Sequence, residues 1–260
     1  MEQFHIHFQI FLLIWLRLAS AFMIAPVLSA PDISLQFRAL AALTITMCIF
    51  PWAMKTVAPP SNDLMIFGLS ALNEILVGVL LGFFLSVIFA AFRLSAQFFA
   101  VQIGLGMSEV FDPITQEQSP LLGYLFNTTA ILVFLLMGGM HMTIRAVVDS
   151  YALAPAPDFA GGSRFLLEEA VRYFSFMFGI ALKIAFPVIA ASVIIIISLG
   201  FLGKAAPNAN AMMLGLPIQF GVGMFIILAI MPQVTEIFVA IFSNAIIDFM
   251  NVMQRLATVQ

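Results

Sequence analysis

The sequence predicts an all-α membrane protein with about five or six long, kinked apolar helices that form helical hairpins. Hydrophobic residues make up 63% of the 260-residue chain, charged residues only 9%, and the mean hydropathy is +1.11. A soluble domain has about 25% charged residues, so this chain could not cover a surface that faces water. Prolines, glycines and single charges repeatedly interrupt the apolar segments, which predicts kinks.

The first apolar segment covers residues 8–27 and ends near Pro26. Its first basic residue, Arg17, lies inside the apolar run, which is untypical of a secretory signal, so we expect a retained helix. A short amphipathic stretch ending at Arg38 leads into a second apolar segment over residues 39–52. That segment is short for a membrane span, which needs about 20 residues.

The third apolar segment extends over residues 64–103 and contains one carboxylate, Glu74. Gly78 and Gly82 are four residues apart, so they share one helix face and would let a neighbouring helix approach closely. The segment is longer than one straight span requires, and we therefore expect a break or kink within it.

The segment over residues 104–119, GLGMSEVFDPITQEQS, differs from its surroundings. It has two glycines, a proline, three carboxylates and no positive charge. On composition alone, it is typical of an extramembrane loop. Apolar segments resume over residues 121–137 and 144–151.

The C-terminal part begins with a loop rich in proline, glycine and alanine over residues 154–163. Apolar runs over residues 174–202 and 213–231 flank a predicted tight turn at 200–210, and an amphipathic stretch covers 235–256. Backbone that is broken at membrane depth is tolerated only where protein or a cavity covers it. We therefore expect much of the chain to be covered by other protein, because four prolines in apolar segments should break helices: Pro51, Pro187, Pro217 and Pro232.

Five charged residues lie in or beside the apolar segments, and each would be costly in hydrocarbon. We interpret them mainly as structural contacts with another helix or subunit, with a pathway for ions or protons as the alternative. They are Arg17, Glu74, Arg93, Lys183 and Glu236.

The sequence predicts no enzyme and no cofactor. It has no Gly-rich phosphate loop, no His-Glu-x-x-His and no Gly-x-Ser-x-Gly motif. The only cysteine, Cys48, excludes an internal disulfide, and the three histidines lack metal-site spacing. The ten basic residues are scattered singly, which argues against nucleic-acid binding.

The string GFLGKAAPNANAMMLGLPIQFGVG over residues 200–223 resembles the signature of the FliR family of type III export-gate subunits, which includes injectisome counterparts. Lys204 stands where arginine is usual, and Asn208 and Ala209 also depart from the pattern. The matching residues are Gly200, Ala205, Ala206, Pro207, Asn210, Leu214, Gly215, Pro217 and Gly223. Two weaker similarities support it: Arg17, Pro26 and Arg38 near the N-terminus, and the passage from Arg93 to Asp112-Pro113.

The resemblance implies a place in a multi-subunit export gate at the flagellar basal body, in the bacterial inner membrane. The implied partners are the FliP and FliQ subunits, FlhB, the FlhA ring, unfolded export substrates and membrane lipids. It also implies that residues 1–160 are similar to FliP and residues 161–260 form a hairpin similar to FliQ. The assembled gate of that family is raised largely out of the bilayer plane.

The resemblance further implies that the segment 104–119 is a plug in the closed pore. Glycines give the backbone freedom, and apolar side chains could seal a pore by excluding water. The plug residues are Gly104, Gly106, Met107, Val110, Phe111, Asp112, Pro113 and Ile114. The residues assigned to assembly are Arg17, Arg38, Glu74, Arg93, Lys183, Lys204, Pro207, Asn210, Gly215 and Pro217.

Two other classes stay open from the residues alone. A secondary transporter with broken helices would have a site at the membrane midplane and an internal inverted repeat, and no repeat is visible in the sequence. A lipid-modifying enzyme would need histidines and carboxylates clustered at one membrane face. The FliR-like gate subunit is the preferred interpretation, in its flagellar form.

Overall fold

The computed structural model describes residues 2–27, 33–54, 57, 63–105, 121–154, 159, 161–205 and 211–258. Within these residues the regular structure is entirely α-helical, and it forms seven helices. Five of these are long and apolar enough to cross a membrane, and a sixth span results if one bent pair is counted as a unit. The predicted all-α membrane protein is therefore confirmed.

Helix α1 covers Glu2–Ile24 and helix α2 covers Leu35–Ala53. Ser34 begins α2 as its N-cap, because its side chain accepts a hydrogen bond from the Phe37 backbone N–H. This earlier start lengthens α2 to 19 residues, enough for a span. Pro51 lies inside its last turn and does not break it.

Helix α3 is a single helix of 39 residues, Leu64–Gln102, so this segment contains no break, and a kink within it stays a prediction. It ends in a Schellman motif. Gly104 has a φ of 85°, its N–H bonds to the Val101 carbonyl at 3.3 Å, and the Leu105 N–H bonds to the Ala100 carbonyl at 3.0 Å. The glycine is required here because side chains disfavour this left-handed conformation.

Helices α4, Leu121–Leu136, and α5, Gly139–Leu153, are joined by a sharp break. Their axes differ by 66°, and Gly138 between them has a φ of 73°. This break lies at a glycine, whereas α2 continues through Pro51, one of the four prolines that were expected to break helices.

Helix α6 covers Ser163–Ala205 and contains Pro187, while helix α7 covers Ala211–Thr258 and contains Pro217 and Pro232. Both helices continue through these positions, so the expectation that the prolines break them is wrong. A proline removes one backbone hydrogen bond and can bend a helix, but the other backbone hydrogen bonds remain. At 43 and 48 residues, these are the longest helices described.

The chain divides into two compact units. Unit 1 comprises Met1–Ile88, Phe134–Tyr173 and Ala240–Gln260. In its core, the Phe84 ring lies against Tyr173, with ring centroids 4.2 Å apart, and near Phe249. These aromatic contacts join α3, α6 and α7 within this unit.

Unit 2 comprises Phe89–Val133 and Phe174–Val239. The rings of Phe89 and Phe92 both lie edge-on to Phe238, at centroid distances of 5.2 and 5.0 Å. Within this unit, α3 and α7 are therefore held together by apolar aromatic packing. The proposed division of the chain at residues 160 and 161 stays a prediction.

Candidate functional site

Helices α1 and α3 approach each other closely at two glycines of α3. A Cβ added at Gly78 would collide with the Ser20 side chain and with backbone atoms of α1, including the Ala21 nitrogen. A Cβ at Gly82 would lie 2.6 Å from the Ile24 Cβ. The close approach predicted from the spacing of Gly78 and Gly82 is thus confirmed.

This approach brings two of the five charges into contact inside unit 1. The Arg17 Nε donates a hydrogen bond to Oε2 of Glu74, and the two form an ion pair. Only 0% and 7% of their side-chain surfaces are exposed. The interpretation of these charges as a contact between helices is therefore correct for Arg17 and Glu74.

Helix α5 supplies the remaining contacts of this pair. The Arg17 Nη1 donates to the Ser150 Oγ at 2.8 Å, and the Tyr151 hydroxyl donates to Glu74 Oε2 at 3.0 Å. The guanidinium carbon of Arg17 lies 3.6 Å from the centroid of the Tyr151 ring, which is a cation–π contact. We call Arg17, Glu74, Ser150 and Tyr151 the Arg17 cluster.

The Arg17 cluster joins α1, α3 and α5 through charged hydrogen bonds in a buried setting. Ser150 and Tyr151 were missed by reasoning from the sequence, because they lie 133 and 77 residues from their respective partners. One signal was available: Tyr151 is one of only three tyrosines, and buried tyrosine hydroxyls usually find a partner.

The chemistry of the Arg17 cluster is that of a structural contact. Each member forms a hydrogen bond with another member, and the Ser150 Oγ also donates to the Val147 backbone carbonyl at 2.6 Å. The buried Nη2 of Arg17 has no hydrogen-bond partner among the described residues. Across the described residues, no group of three or more histidine, cysteine, aspartate or glutamate side chains could hold a metal ion. The arrangement therefore fixes helix positions.

Arg38 makes a local contact in this chain, and the role in assembly assigned to it stays a prediction. Its Nη2 donates to the Ile33 backbone carbonyl at 2.9 Å, just before α2 begins. The side chain therefore holds the turn that leads into α2.

Three of the five charges in or beside the apolar segments lie in unit 2 and are exposed: Arg93 on α3, Lys183 on α6 and Glu236 on α7. None of them forms an ion pair or hydrogen bond with another residue that the structure describes. Lys183 lies near the midpoint of α6, and Glu236 near the midpoint of α7. Unlike Arg17 and Glu74, these charges are not neutralised within the described part of the chain.

The residues of the 200–223 motif are described in part. Lys204 is exposed in the last turn of α6, where a cation interacts favourably with the helix dipole. Gly215 is buried, and a Cβ there would lie 2.7 Å from the Leu199 side chain. Pro217 lies inside α7, whereas Pro207 and Asn210 lie outside the described residues. The motif thus includes a close helix contact, and its role in assembly stays a prediction.

The predicted plug is described only at its first residue. Gly104 ends α3 in the left-handed conformation. The other plug residues lie outside the described residues: Gly106, Met107, Val110, Phe111, Asp112, Pro113 and Ile114.

Comparison with known proteins identifies the family. Residues 8–245 match the family described as "Bacterial export proteins, family 1". The flagellar biosynthetic protein FliR of Escherichia coli K12 is 28% identical, over 88% of this chain and 87% of that protein. FliR of Bacillus subtilis 168 is 27% identical over 95% of both chains.

A third relative, FliR of Aquifex aeolicus VF5, is 30% identical over 74% of this chain and 72% of that protein. The family match covers the Arg17 cluster, the three exposed charges and the whole 200–223 motif. The resemblance seen in that motif is therefore confirmed, and this chain belongs to the bacterial export proteins of family 1, the FliR family.

Proposed function

We propose that this chain is a structural and gating subunit of the flagellar type III protein export channel in the bacterial inner membrane. It would help to form the pore through which unfolded flagellar proteins pass. The family match and three relatives named as flagellar biosynthetic proteins support an export role. The helices that are long and apolar enough to span a membrane support the location.

The observation that carries the proposal is the exposure of Lys183 and Glu236 near the midpoints of two long apolar helices. A charged side chain at mid-depth in hydrocarbon costs about 2.5–3.5 kcal/mol or more. Such a surface is therefore unsuited to lipid. It is suited to contact with other protein subunits or with a water-filled pore. A subunit of a larger channel would have both kinds of surroundings.

The lengths of α6 and α7 support the same interpretation. At 1.5 Å per residue, their 43 and 48 residues would extend for ~65 and ~72 Å. The hydrocarbon core of a bilayer is only ~30 Å thick. Both helices would therefore project beyond it, as expected of a gate that is raised out of the bilayer plane.

The proposed partners are the FliP and FliQ subunits, with FlhB and the FlhA ring associated. Residues 1–160 would occupy a position similar to that of a FliP subunit, and residues 161–260 one similar to FliQ. The segment 104–119 would act as the plug of the closed pore. We propose no catalytic step and no cofactor for this chain.

The structure removes the broken helices that suggested a secondary transporter as the alternative. The transporter alternative required helices broken near the membrane midplane. Pro187 and Pro217 lie inside continuous helices instead. Among the described helices, one pair is sharply bent, at Gly138. The described residues therefore contain no second break that would match it in an inverted repeat.

Charge reversal at Lys183 tests the proposal. The variant Lys183→Glu and the wild-type chain would each be co-expressed with the FliP and FliQ proteins of the same organism and purified in mild detergent. We expect at least about tenfold less complex to be recovered with the variant. If partner subunits cover this face, Lys183 would attract an acidic group there, and a glutamate in its place would repel that group. Arg164→Glu is the matched control, because Arg164 is exposed near the start of the same helix.

The control should assemble as the wild-type chain does. Helix content and detergent stability of Lys183→Glu should stay unchanged, because Lys183 contacts no charged group that the structure describes. Normal recovery of the complex with Lys183→Glu would contradict the proposal that this face is covered by partner subunits.

A further inference from the structure

A polar cleft of about 490 Å³ lies in unit 1, between the beginning of α6 and the end of α7. Its size falls within the range of about 300–1,000 Å³ that is usual for small-molecule sites. In a chain with 9% charged residues, it collects two carboxylates and two guanidinium groups. The residues that matter here are Phe165, Glu169, Arg172, Asp248, Asn251 and Arg255.

The charged groups of the cleft are held by their neighbours. Glu169 is 8% exposed, and its Oε2 lies 2.6 Å from Nη2 of Arg172. The Tyr173 hydroxyl donates to the Asp248 carboxylate. The guanidinium carbon of Arg255 lies 5.5 Å from the centroid of the Phe165 ring. The cleft thus presents fixed charges of both signs, and each carboxylate can still accept further hydrogen bonds.

The position of the cleft along the two helices indicates what could reach it. On α6, the cleft residues end at Arg172, directly before the apolar run over residues 174–202. On α7, they begin at Asp248, directly after Ile246 and Ile247. Where apolar helices cross a bilayer, the point at which they become polar lies at the level of the lipid headgroups.

From this geometry we propose that the cleft binds the headgroup of a zwitterionic phospholipid with a primary ammonium group, that is, phosphatidylethanolamine. Guanidinium groups are the preferred partners of a phosphate, which would lie between Arg172 and Arg255. The ammonium group would donate to Glu169 and Asp248. This site goes beyond the proposed role in export, which assigns no ligand to unit 1.

The probes are phosphatidylethanolamine, phosphatidylcholine and phosphatidylglycerol, each added to micelles of the purified, delipidated full chain. Bound lipid is counted by native mass spectrometry. We expect phosphatidylethanolamine to bind at least about tenfold more tightly than the other two, because each lacks one set of charge-assisted hydrogen bonds. Phosphatidylcholine has no ammonium hydrogen to donate, and phosphatidylglycerol has no ammonium group.

Two variants locate the binding in the cleft. The double variant Arg172→Gln/Arg255→Gln should lose about tenfold or more in affinity for phosphatidylethanolamine. Asn251→Phe should lose a similar amount by filling the cleft while its charges remain, which covers the case in which the double variant is poorly folded. Arg164→Gln is the control, since Arg164 lies near the same helix end outside the cleft, with 92% of its side chain exposed.

Soluble phosphoethanolamine at millimolar concentration should compete only weakly, because it lacks the acyl chains that keep a lipid at the site. Equal binding of the three lipids would overturn the proposal, and so would equal losses in Arg164→Gln and the cleft variants. Full displacement by soluble phosphoethanolamine would assign the site to a free metabolite. Loss of partner subunits from cleft variants with unchanged lipid binding would assign it to a protein.

Discussion

Tyr151 makes two contacts with the Arg17 cluster, because its hydroxyl binds Glu74 and its ring lies against Arg17. Burying a carboxylate and a guanidinium group carries a large desolvation cost, and the attraction between them offsets it only when further hydrogen bonds are made. Ser150 and Tyr151 supply those hydrogen bonds from a third helix. The cluster should therefore act as a unit, in which no member can be removed alone without a large loss.

A double-mutant cycle tests this coupling. Arg17→Met should lower the free energy of unfolding by about 3–5 kcal/mol, because it leaves the Glu74 carboxylate buried without a cation. The double variant Arg17→Met/Glu74→Leu removes both charges and should lose far less, less than about 2 kcal/mol. Unfolding would be measured by titrating SDS into detergent micelles and following the far-UV circular dichroism.

Arg145→Met is the control for that cycle. Arg145 pairs with Asp149 on α5 at 3.5 Å, with 77% of its side chain exposed, so its loss should cost less than about 1 kcal/mol. The second single variant of the cycle is Glu74→Leu. If the double variant loses as much free energy of unfolding as Arg17→Met and Glu74→Leu together, Arg17 and Glu74 are not coupled in the way their geometry indicates.

The helices show which features of this fold can be predicted from short stretches of the sequence. The apolar segments, and the face shared by Gly78 and Gly82, follow from hydropathy and helical spacing, which depend on near neighbours only. The effect of Pro187 and Pro217 could not be derived in this way, because a long helix continues through a proline when the surrounding packing supports it.

The partners of the buried charges could not be derived either. Arg17 and Glu74 are 57 residues apart in the sequence. No local rule indicates that Arg17 pairs with Glu74 while Lys183 stays exposed, since all of these charges lie in similar apolar surroundings. The helix–helix contact at Gly78 decides the pairing, because it brings the backbones of α1 and α3 together one turn away from Glu74.

The contact between α1 and α3 yields a prediction for these elements. Gly78→Ala should lower the free energy of unfolding by about 1–3 kcal/mol, because its Cβ would meet backbone atoms of α1 that cannot rotate away. Gly68→Ala on the same helix is the matched control, since a Cβ there meets nothing within 4 Å. It should instead stabilise α3 by up to about 1 kcal/mol.

Thermal melts of both glycine variants in the same detergent give their relative stabilities. SDS titration gives their free energies of unfolding. A neutral or stabilising effect of Gly78→Ala would show that α1 and α3 do not approach each other as closely as the glycine requires.

On the scale of the whole molecule, the five charges in or beside the apolar segments fall into two groups that need different surroundings. The Arg17 cluster is neutralised within unit 1, and its surroundings can therefore be apolar. Arg93, Lys183 and Glu236 in unit 2 are exposed and find no partner among the described residues. A single chain with this surface would be costly to keep in lipid, so unit 2 is the part that should be covered on assembly.

The proposed plug gives a prediction for the assembled channel. Four apolar residues of the segment 104–119 would seal a closed pore by excluding water from it: Met107, Val110, Phe111 and Ile114. Replacing all four with serine keeps the length of the segment but removes the apolar seal. We expect normal recovery of the complex with FliP and FliQ, together with a several-fold higher leak of small ions, measured as conductance in planar bilayers.

The matched control neutralises the two carboxylates of the same segment that are not among the plug residues, Glu109 and Glu117, by replacing them with their amides. These substitutions leave the apolar residues in place, so the closed channel should stay tight. Because the serine variant and the amide variant change the same segment, a general disturbance of assembly would affect both. An unchanged leak in the serine variant, with the complex intact, would show that this segment does not seal the pore.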